Sequence, residues 1–403
     1  MKLKEKDNVP LIRFDYFKEE WDKKLFKDFT KLSQGLQIAI SSRFLEDGED
    51  RYFYITNEFL NPNSTKKYYI ESPSENVICT VDDILMTRTG NTGKVITNIS
   101  GAFHNNFFKV DYDKFETSKM FLYYLLTSND IHKEIIIRAG NSTIPDLNHS
   151  DFYSIKTSVP SLDEQSAIGS LFLALDDLLA SYKDNLANYQ SLRATMLSKM
   201  FPKAGQTVPE IRLDGFDGEW EIKKFKSIST KRGKSNSKGY DYPAYSVSNQ
   251  SGLIPQSEQF EGSRLENLEK TSYKIVEPNE FAYNPARINV GSIAFNDLDE
   301  TVIVSSLYVI FSLDKSINNN YALLFIKSPE FNKEVRRNTE GSVREYLFYE
   351  NFANIRIPIP PSLEEQQAIS AYFSNLNSLI IAHQEKISQL ETLKKKLLQD
   401  MFI

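Results

Sequence analysis

The chain carries one message twice. Residues 9–26 read VPLIRFDYFKEEWDKKLF and residues 208–225 read VPEIRLDGFDGEWEIKKF. At an offset of 199, Val9 pairs with Val208, Pro10 with Pro209, Arg13 with Arg212, Phe17 with Phe216, Glu20 with Glu219 and Trp21 with Trp220, the only two tryptophans present. LLTSNDIHKEI (125–135) then matches FIKSPEFNKEV (325–335), PSLDEQSAI (160–168) matches PSLEEQQAI (361–369), and the KMF that ends at Phe201 matches the DMF that ends at Phe402. Short-period solenoids repeat every ~20–50 residues. This unit occupies about half of the 403-residue chain, so the sequence predicts a duplicated domain whose copies are alike in size and unlike in their middles.

Each copy ends in a predicted long helix. Ser161 and Ser362 precede Glu164 and Glu365 by three, the capping-box spacing in which serine and glutamate each satisfy one unpaired backbone N–H. Beyond each cap the chain runs without proline as far as Pro202 in the first copy and to the last residue in the second, and Gly169 is the one glycine in either helix. Such a helix reaches ~60 Å at ~1.5 Å per residue. Apolar residues recur at Phe172, Leu175, Leu179, Tyr182, Leu186 and Tyr189, and again at Phe373, Leu376, Ile380, His383, Ile387 and Leu390, the 3–4 spacing of a coiled-coil seam. Both seams then read as slipping by one position, to Leu192 and Met196 and to Leu393 and Leu397. The shared pattern predicts that the helices mate with each other or with equivalent partners, in preference to two amphipathic helices each packed on its own head, with His383 as a tolerated polar seam residue. Antiparallel pairing would give a dumbbell with a pseudo-two-fold axis across its rod. The expected segments are 1–158 and 204–358 as globular heads, with 159–203 and 359–403 as the helices.

Within the heads, short β-like runs such as RYFYIT (51–56), KYYIES (67–72), FHNNFFKV (103–110), TVIVSSLYVIF (301–311) and IRIPIP (355–360) alternate with turn residues, and a helix is predicted at 118–137 and again at 319–337. The fold class is α+β: two similar mixed α/β heads with irregular sheets, joined through two long helices. A lone Cys79 excludes an internal disulfide framework and fits a reducing cytoplasm. The opening MKLKEKDNVP has no apolar core of the signal-peptide type, and no apolar run approaches the ~20 residues that span a bilayer. The expectation is a cytoplasmic protein without a membrane partner.

Catalytic motifs are approached but not completed. TGNTGKV (89–95) lacks the GxxxxGK[ST] spacing of a phosphate loop. YNPAR (283–287) lacks the second proline and the aromatic of the NPPY-type loop of amino-methyltransferases. The four histidines are scattered and no GxSxG is present, so neither a metal site nor a hydrolase elbow is expected. Asp176 and Asp177 are predicted to lie on a solvated helix face.

What remains is a binding pattern. STKRGKSNSKGY (229–240) is basic and free of acids; MTRTGNTGK (86–94) and its counterpart YNPARINVGS (283–292) are acid-free. Arg, Lys, Asn, Ser and Thr are the donors that meet phosphates and base edges, and glycines allow close approach. The net charge of −6 argues mildly against a nucleic-acid partner, but acids such as Asp163, Glu164, Glu364 and Glu365 fall on the helices. The candidate DNA-binding residues are Arg88, Asn91, Lys94, Lys231, Arg232, Lys234, Arg287 and Asn289.

VPEIRLDGFDGEWE (208–221), GNSTIPDLNHSDFYSIKTSVPSLDEQSAI (140–168), FAYNPARINVGSIA (281–294) and IRIPIPPSLEEQQAI (355–369) together resemble the specificity subunits of type I restriction–modification systems, over essentially the whole chain. The resemblance implies that each head is a target recognition domain reading one half of a split double-stranded DNA sequence, and that the two helices form an antiparallel coiled coil that sets the spacer. It also implies docking of two methyltransferase subunits and of motor-nuclease restriction subunits. No catalytic residue, metal or cofactor is expected in this chain; S-adenosylmethionine, ATP and magnesium belong to the partners. The first head departs from the pattern at DYFKEEW (15–21), which lacks the glycines of DGFDGEW, and the second at GSVREYLF (341–348), where the first has STIPDLN (142–148). A methylation-only system uses the same architecture, and a coiled-coil scaffold that binds proteins through both heads is the reading from another class.

Overall fold

The structure is a computed structural model that describes residues 9–140, 144–249, 252–259, 270–339 and 346–403. The opening MKLKEKDN, and Asn141–Thr143 and Gly341–Glu345 of the two compared motifs, lie outside the described residues. Packing divides the chain into two units, Met1–Lys183 with Glu385–Ile403, and Asp184–Gln384.

The first unit runs β1 (Asp22–Leu25), β2 (Thr30–Gln34), β3 (Arg51–Ile55), β4 (Tyr69–Glu71), β5 (Ile78–Cys79), β6 (Ile84–Thr87), β7 (Val95–Thr97), β8 (Gly101–Phe103), β9 (Phe107–Tyr112), α1 (Lys119–Thr127), α2 (Asn129–Ala139), α3 (His149–Tyr153) and β10 (Lys156–Val159), and leads into α4 (Leu162–Lys199). The second runs β11 (Glu221–Lys224), β12 (Ser229–Arg232), β13 (Tyr245–Ser248), β14 (Gly252–Pro255), α5 (Gln256–Gln259), β15 (Lys274–Val276), β16 (Phe281–Tyr283), β17 (Ile293–Phe295), β18 (Val302–Val304), β19 (Val309–Leu313), α6 (Asn319–Ile326), α7 (Pro329–Thr339), α8 (Tyr349–Phe352) and β20 (Arg356–Ile359), and leads into α9 (Leu363–Asp400). The same frame occurs twice. A four-stranded antiparallel sheet, β2-β9-β6-β7 or β12-β19-β16-β17, stands beside a two-stranded ribbon, β1-β10 or β11-β20. The middles differ: the first unit adds a β4-β3-β8-β5 sheet with a parallel β3-β8 pair, and the second adds two separate ribbons, β13-β14 and β15-β18.

Several predicted runs are subdivided. FHNNFFKV splits into β8 and β9 at a turn where Phe107 N–H returns to His104 O, and TVIVSSLYVIF splits where Tyr308 N–H returns to Ser305 O. The single helix predicted at 118–137 is two, α1 and α2, because Ser128 leaves the helix with ψ 150°. In the second unit the break at Ser328 has a plain cause, since Pro329 has no N–H and disfavours helix at the residue before it.

The repeated residues build one joint. Ser161 and Ser362 do cap their helices, accepting the N–H of Glu164 (3.4 Å) and Glu365 (3.1 Å). The reciprocal half of the expected capping box is replaced. Glu164 instead accepts Arg13 Nε and Nη2 at 2.7 Å each, and Glu365 accepts Arg212 Nε and Nη2 at 2.7 Å each. Both glutamate side chains are 2% exposed, so the arginine supplies the charge and both donors that burial demands. The next residue of each motif, Gln165 or Gln366, is buried and accepts the backbone N–H of Ser118 or Asn318, which fixes the start of α1 or α6 against the long helix. Each arginine also donates to carbonyls of its own segment, Glu19 O in one copy and Asp217 O and Gly218 O in the other. Gly215 and Gly218 adopt positive φ there; Tyr16 and Glu19 do not, so the two backbones differ while both deliver carbonyls to the guanidinium. Trp21 and Trp220 come directly after, each buried, each with an indole N–H that has no hydrogen-bond partner.

In the first unit, residues 162–183 run antiparallel to 385–400; in the second, 184–199 run antiparallel to 363–384. Phe402 packs on Phe121 and Phe172, and Phe201 on Trp220, Tyr321 and Phe325, which explains the repeated KMF and DMF. Gly169 is needed where α4 meets α1: a Cβ there would come within 2.9 Å of Met120 Cβ. Of the seam residues, Phe172, Leu175, Leu179, Phe373, Leu376 and Leu390 are buried, and Tyr182, Leu186, Tyr189, Ile380, His383 and Ile387 are half-buried. His383 sits edge-on to Tyr189 at 5.1 Å.

Two expectations are corrected. The seam does not slip: Leu192 and Leu393 are 39% and 44% exposed, and the 3–4 spacing continues through Arg193 and Lys394. Long basic side chains can lie along a seam because their stems are apolar and their heads find partners. Arg193 Nε donates to Asn377 Oδ1 at 2.7 Å, and Lys394 pairs with Asp176. Asp176 is therefore not a solvated acid, since it also accepts the Tyr124 hydroxyl at 2.7 Å.

The joint and the seam can each be tested by substitution. Arg212→Ala leaves the Glu365 carboxylate buried and unpaired, and costs about 3–5 kcal/mol in chemical denaturation. Leu390→Ala costs about 2–5 kcal/mol, whereas Leu393→Ala changes stability by no more than about 0.5 kcal/mol; equal losses would restore the slipped seam.

Candidate nucleic-acid interface

Equivalent hairpins carry five of the eight candidate residues: Arg88, Asn91 and Lys94 in the first unit, Arg287 and Asn289 in the second. In the first unit the β6–β7 loop turns through Gly90, Asn91 and Gly93, all with positive φ. Neither glycine could carry a side chain freely, since a Cβ on Gly90 would meet Asn57 Nδ2 at 2.5 Å and one on Gly93 would meet the His132 ring at 2.9 Å. The loop is tied from within by Thr87, whose hydroxyl donates to Asn91 O at 2.5 Å. A return segment ahead of α3 ties it from outside. Leu147 N–H donates to Arg88 O at 2.9 Å, and Thr92 Oγ1 donates to Pro145 O at 2.8 Å.

Arg88 belongs to this scaffold. Its Nη2 meets Asp146 Oδ2 at 2.7 Å, its Nε donates to Leu147 O at 3.3 Å, and the guanidinium lies over the Phe108 ring. Asn91 is exposed at the tip. Lys94 is exposed too, with its ammonium on Leu60 O at 3.3 Å.

In the second unit the β16–β17 loop is closed by Asn284 N–H to Ser292 O and Ser292 N–H to Arg287 O, each 3.1 Å, with Gly291 at φ +88°. The return segment docks in the same way, through Leu347 N–H to Pro285 O at 2.9 Å, and the buried Tyr283 hydroxyl donates to Leu347 O at 3.0 Å. Burial pushes that hydroxyl's pKa well up, with the Glu350 charge adding to it. Arg287 and Asn289 are exposed on the loop.

The basic stretch forms β12, the edge strand of the sheet, and the loop beyond it. Lys231 Nζ pairs with Glu350 at 2.7 Å beside the Tyr349 ring, and this hydrogen bond lowers the Glu350 pKa. Arg232 Nε donates to Ser312 Oγ at 3.0 Å and lies 3.7 Å from Glu280, whose carboxyl is pushed up by burial. Lys234 is exposed. Lys274 stands close by with its ammonium on Tyr308 O; burial lowers its pKa first and repulsion from Lys231 adds to the effect. Lys231 and the Arg287 loop thus border one segment, 346–350, whose start falls in the GSVREYLF departure but which supplied no candidate residue. Tyr346 and Phe348 of that segment are exposed, with rings 5.9 Å apart and only 9° from parallel. Two aromatics on either side of a buried leucine were the available signal.

Among the described residues, no group of three or more His, Cys, Asp or Glu is placed to hold a metal ion, and no helix is long and apolar enough to cross a membrane. Cys79 is buried, and burial pushes its thiol up to about 11, far from the range of a reactive nucleophile.

The sequence model for the type I restriction modification DNA specificity domain matches residues 18–188 and 218–392. The chain is 22% identical to the type I restriction enzyme MjaVIII specificity subunit of Methanocaldococcus jannaschii, over 94% of this chain and 91% of that protein. Its fold is similar to the crystal structure of the type I restriction–modification S subunit from M. genitalium, with a TM-score of 0.60 at 15% identity, covering 98% of this chain and 99% of the other. It is similar also to a chain in a structure concerned with complex assembly and conformational transition of the type I R-M system, with a TM-score of 0.51 at 16% identity over 94% and 96%. Two copies of the specificity domain, each on the same sheet-and-hairpin frame and joined through paired long helices, place this chain in the family of type I restriction–modification DNA specificity subunits.

Proposed function

We propose that this subunit reads an asymmetric, two-part double-stranded DNA target, one half per unit, and brings to it two methyltransferase subunits and motor-nuclease restriction subunits. The observation that carries the reading is the repeated hairpin with its docked return segment, a common frame that presents different side chains in each unit. A shared frame with unlike exposed residues suits two unlike half-sites. Asn91 and Lys94 in the first unit, and Lys231, Arg232, Lys234, Arg287 and Asn289 in the second, are the residues proposed to lie near DNA. Arg88 acts through the loop it holds, as a positioning residue.

The chain contributes recognition and no chemistry. Methyl transfer to adenine N6 requires access to the base, and the methyltransferase would supply the pocket and S-adenosylmethionine. ATP and magnesium would serve the motor-nuclease subunits. Such a complex works in the cytoplasm, where its DNA is.

Phosphate contacts and scaffold contacts separate in a salt titration. Lys234→Ala should weaken binding to all duplexes alike and flatten the log–log salt slope by ~0.9. Arg88→Ala should lower the thermal midpoint and leave that slope unchanged. A Lys234 variant with wild-type affinity and slope would remove that residue from the interface.

A further inference from the structure

We infer that Tyr346 and Phe348 form an apolar reading edge that contacts base edges in the half-site read by the second unit; the inference rests on the DNA-reading function proposed above. The repeat supplies the comparison. Leu147 and Leu347 occupy the same place, both fully buried and both donating their N–H to the hairpin loop at 2.9 Å. Tyr346 therefore stands where the first unit has Asp146, and Phe348 where it has Asn148.

The first unit uses both positions for structure. Asp146 holds Arg88. Asn148 caps α3, its Oδ1 accepting the N–H of Asp151 at 2.9 Å and the Ser150 hydroxyl at 2.7 Å. The second unit abandons both roles. Pro285 takes the place of Arg88 and leaves no guanidinium to hold. Phe348 sits at the N-cap of α8 and makes no side-chain cap, at a position where Asn, Asp and Ser are strongly preferred. Stability is given up there while two large rings are turned toward solvent, 39% and 54% exposed. Local rules broken without a structural return mark functional positions.

The surroundings select the ligand. Lys231 meets the same segment at Tyr349 and Glu350, and the loop bearing Arg287 meets it where Pro285 O accepts the Leu347 N–H. Basic flanks meet phosphates, which carry no sequence information. Exposed aromatic rings on the same segment suit base edges, where apolar contact distinguishes thymine's methyl group from the other bases.

The test uses the full chain with its methyltransferase partner. Tyr346→Asn and Phe348→Asn together remove both rings without adding charge, and the second restores the asparagine that caps α3 in the first unit. The mapped methylation motif should become degenerate at one or more positions in one half and stay intact in the other. Affinity for the cognate duplex should fall ~10- to 100-fold, with the salt slope unchanged and the thermal midpoint not lowered. An unchanged motif from the folded variant complex overturns this inference alone. So does loss of methyltransferase co-purification with binding of the isolated chain to the cognate duplex intact, which makes the pair a protein contact, or a uniform loss with a flatter salt slope, which makes it a phosphate contact. A wild-type complex that yields no motif overturns the functional reading as well.

Discussion

The buried arginine–glutamate pair at the root of each long helix is the interaction on which each unit depends. It joins two pieces of chain that lie 151 residues apart in the first unit and 153 in the second: the opening segment and the start of a long helix. A carboxylate with a side chain 2% exposed is tolerable only with a charged, two-pronged partner, and the guanidinium meets that demand with two 2.7 Å bonds. Beside the pair Trp21 or Trp220 lies in the core, and the adjacent glutamine holds the start of α1 or α6. The opening segment also meets the end of a long helix, through Ile12 N–H to Asp400 O in the first unit and Ile211 N–H to Lys199 O in the second. Each unit is thereby built from a helix start and a helix end that belong to different copies of the repeat.

Duplication left the two seams similar but not equal. Asp176 and Asn377 are counterparts, as are Arg193 and Lys394. The first unit holds a cation against a carboxylate, and the second holds a cation against an amide. A polar residue in an apolar seam fixes register at some loss of stability. These pairs place 176 opposite 394 and 193 opposite 377, and a shift by one turn would leave both cations facing phenylalanine (Phe172, Phe373) or leucine and isoleucine (Leu179, Ile380).

Much of this was legible in the sequence, because the repeat acts as an alignment of the chain with itself. The duplicated domain, the long helices, the serine caps and the apolar half of each seam could all be read from spacing. The glutamate of SLDE was misread because the capping box is a local pattern, while Arg13, its true partner, lies 151 residues away in sequence. Arg193 and Lys394 were missed because an apolar-periodicity search steps over basic residues to the nearest leucine. At the candidate interface the hairpin loops were found from composition, yet the Arg88–Asp146 pair was not, since composition cannot show which arginine finds a carboxylate. Tyr346 and Phe348 did not enter the candidates because aromatics usually mean core, and it is their exposure on either side of the buried Leu347 that distinguishes them.

The account turns on one chain reading two unlike half-sites. The most direct measurement maps N6-methyladenine across host DNA with the methyltransferase partner present, with and without this subunit. The account predicts a split motif with two different halves that appears only when the subunit is present. A motif with identical halves, or no methylation from a folded complex, would contradict it.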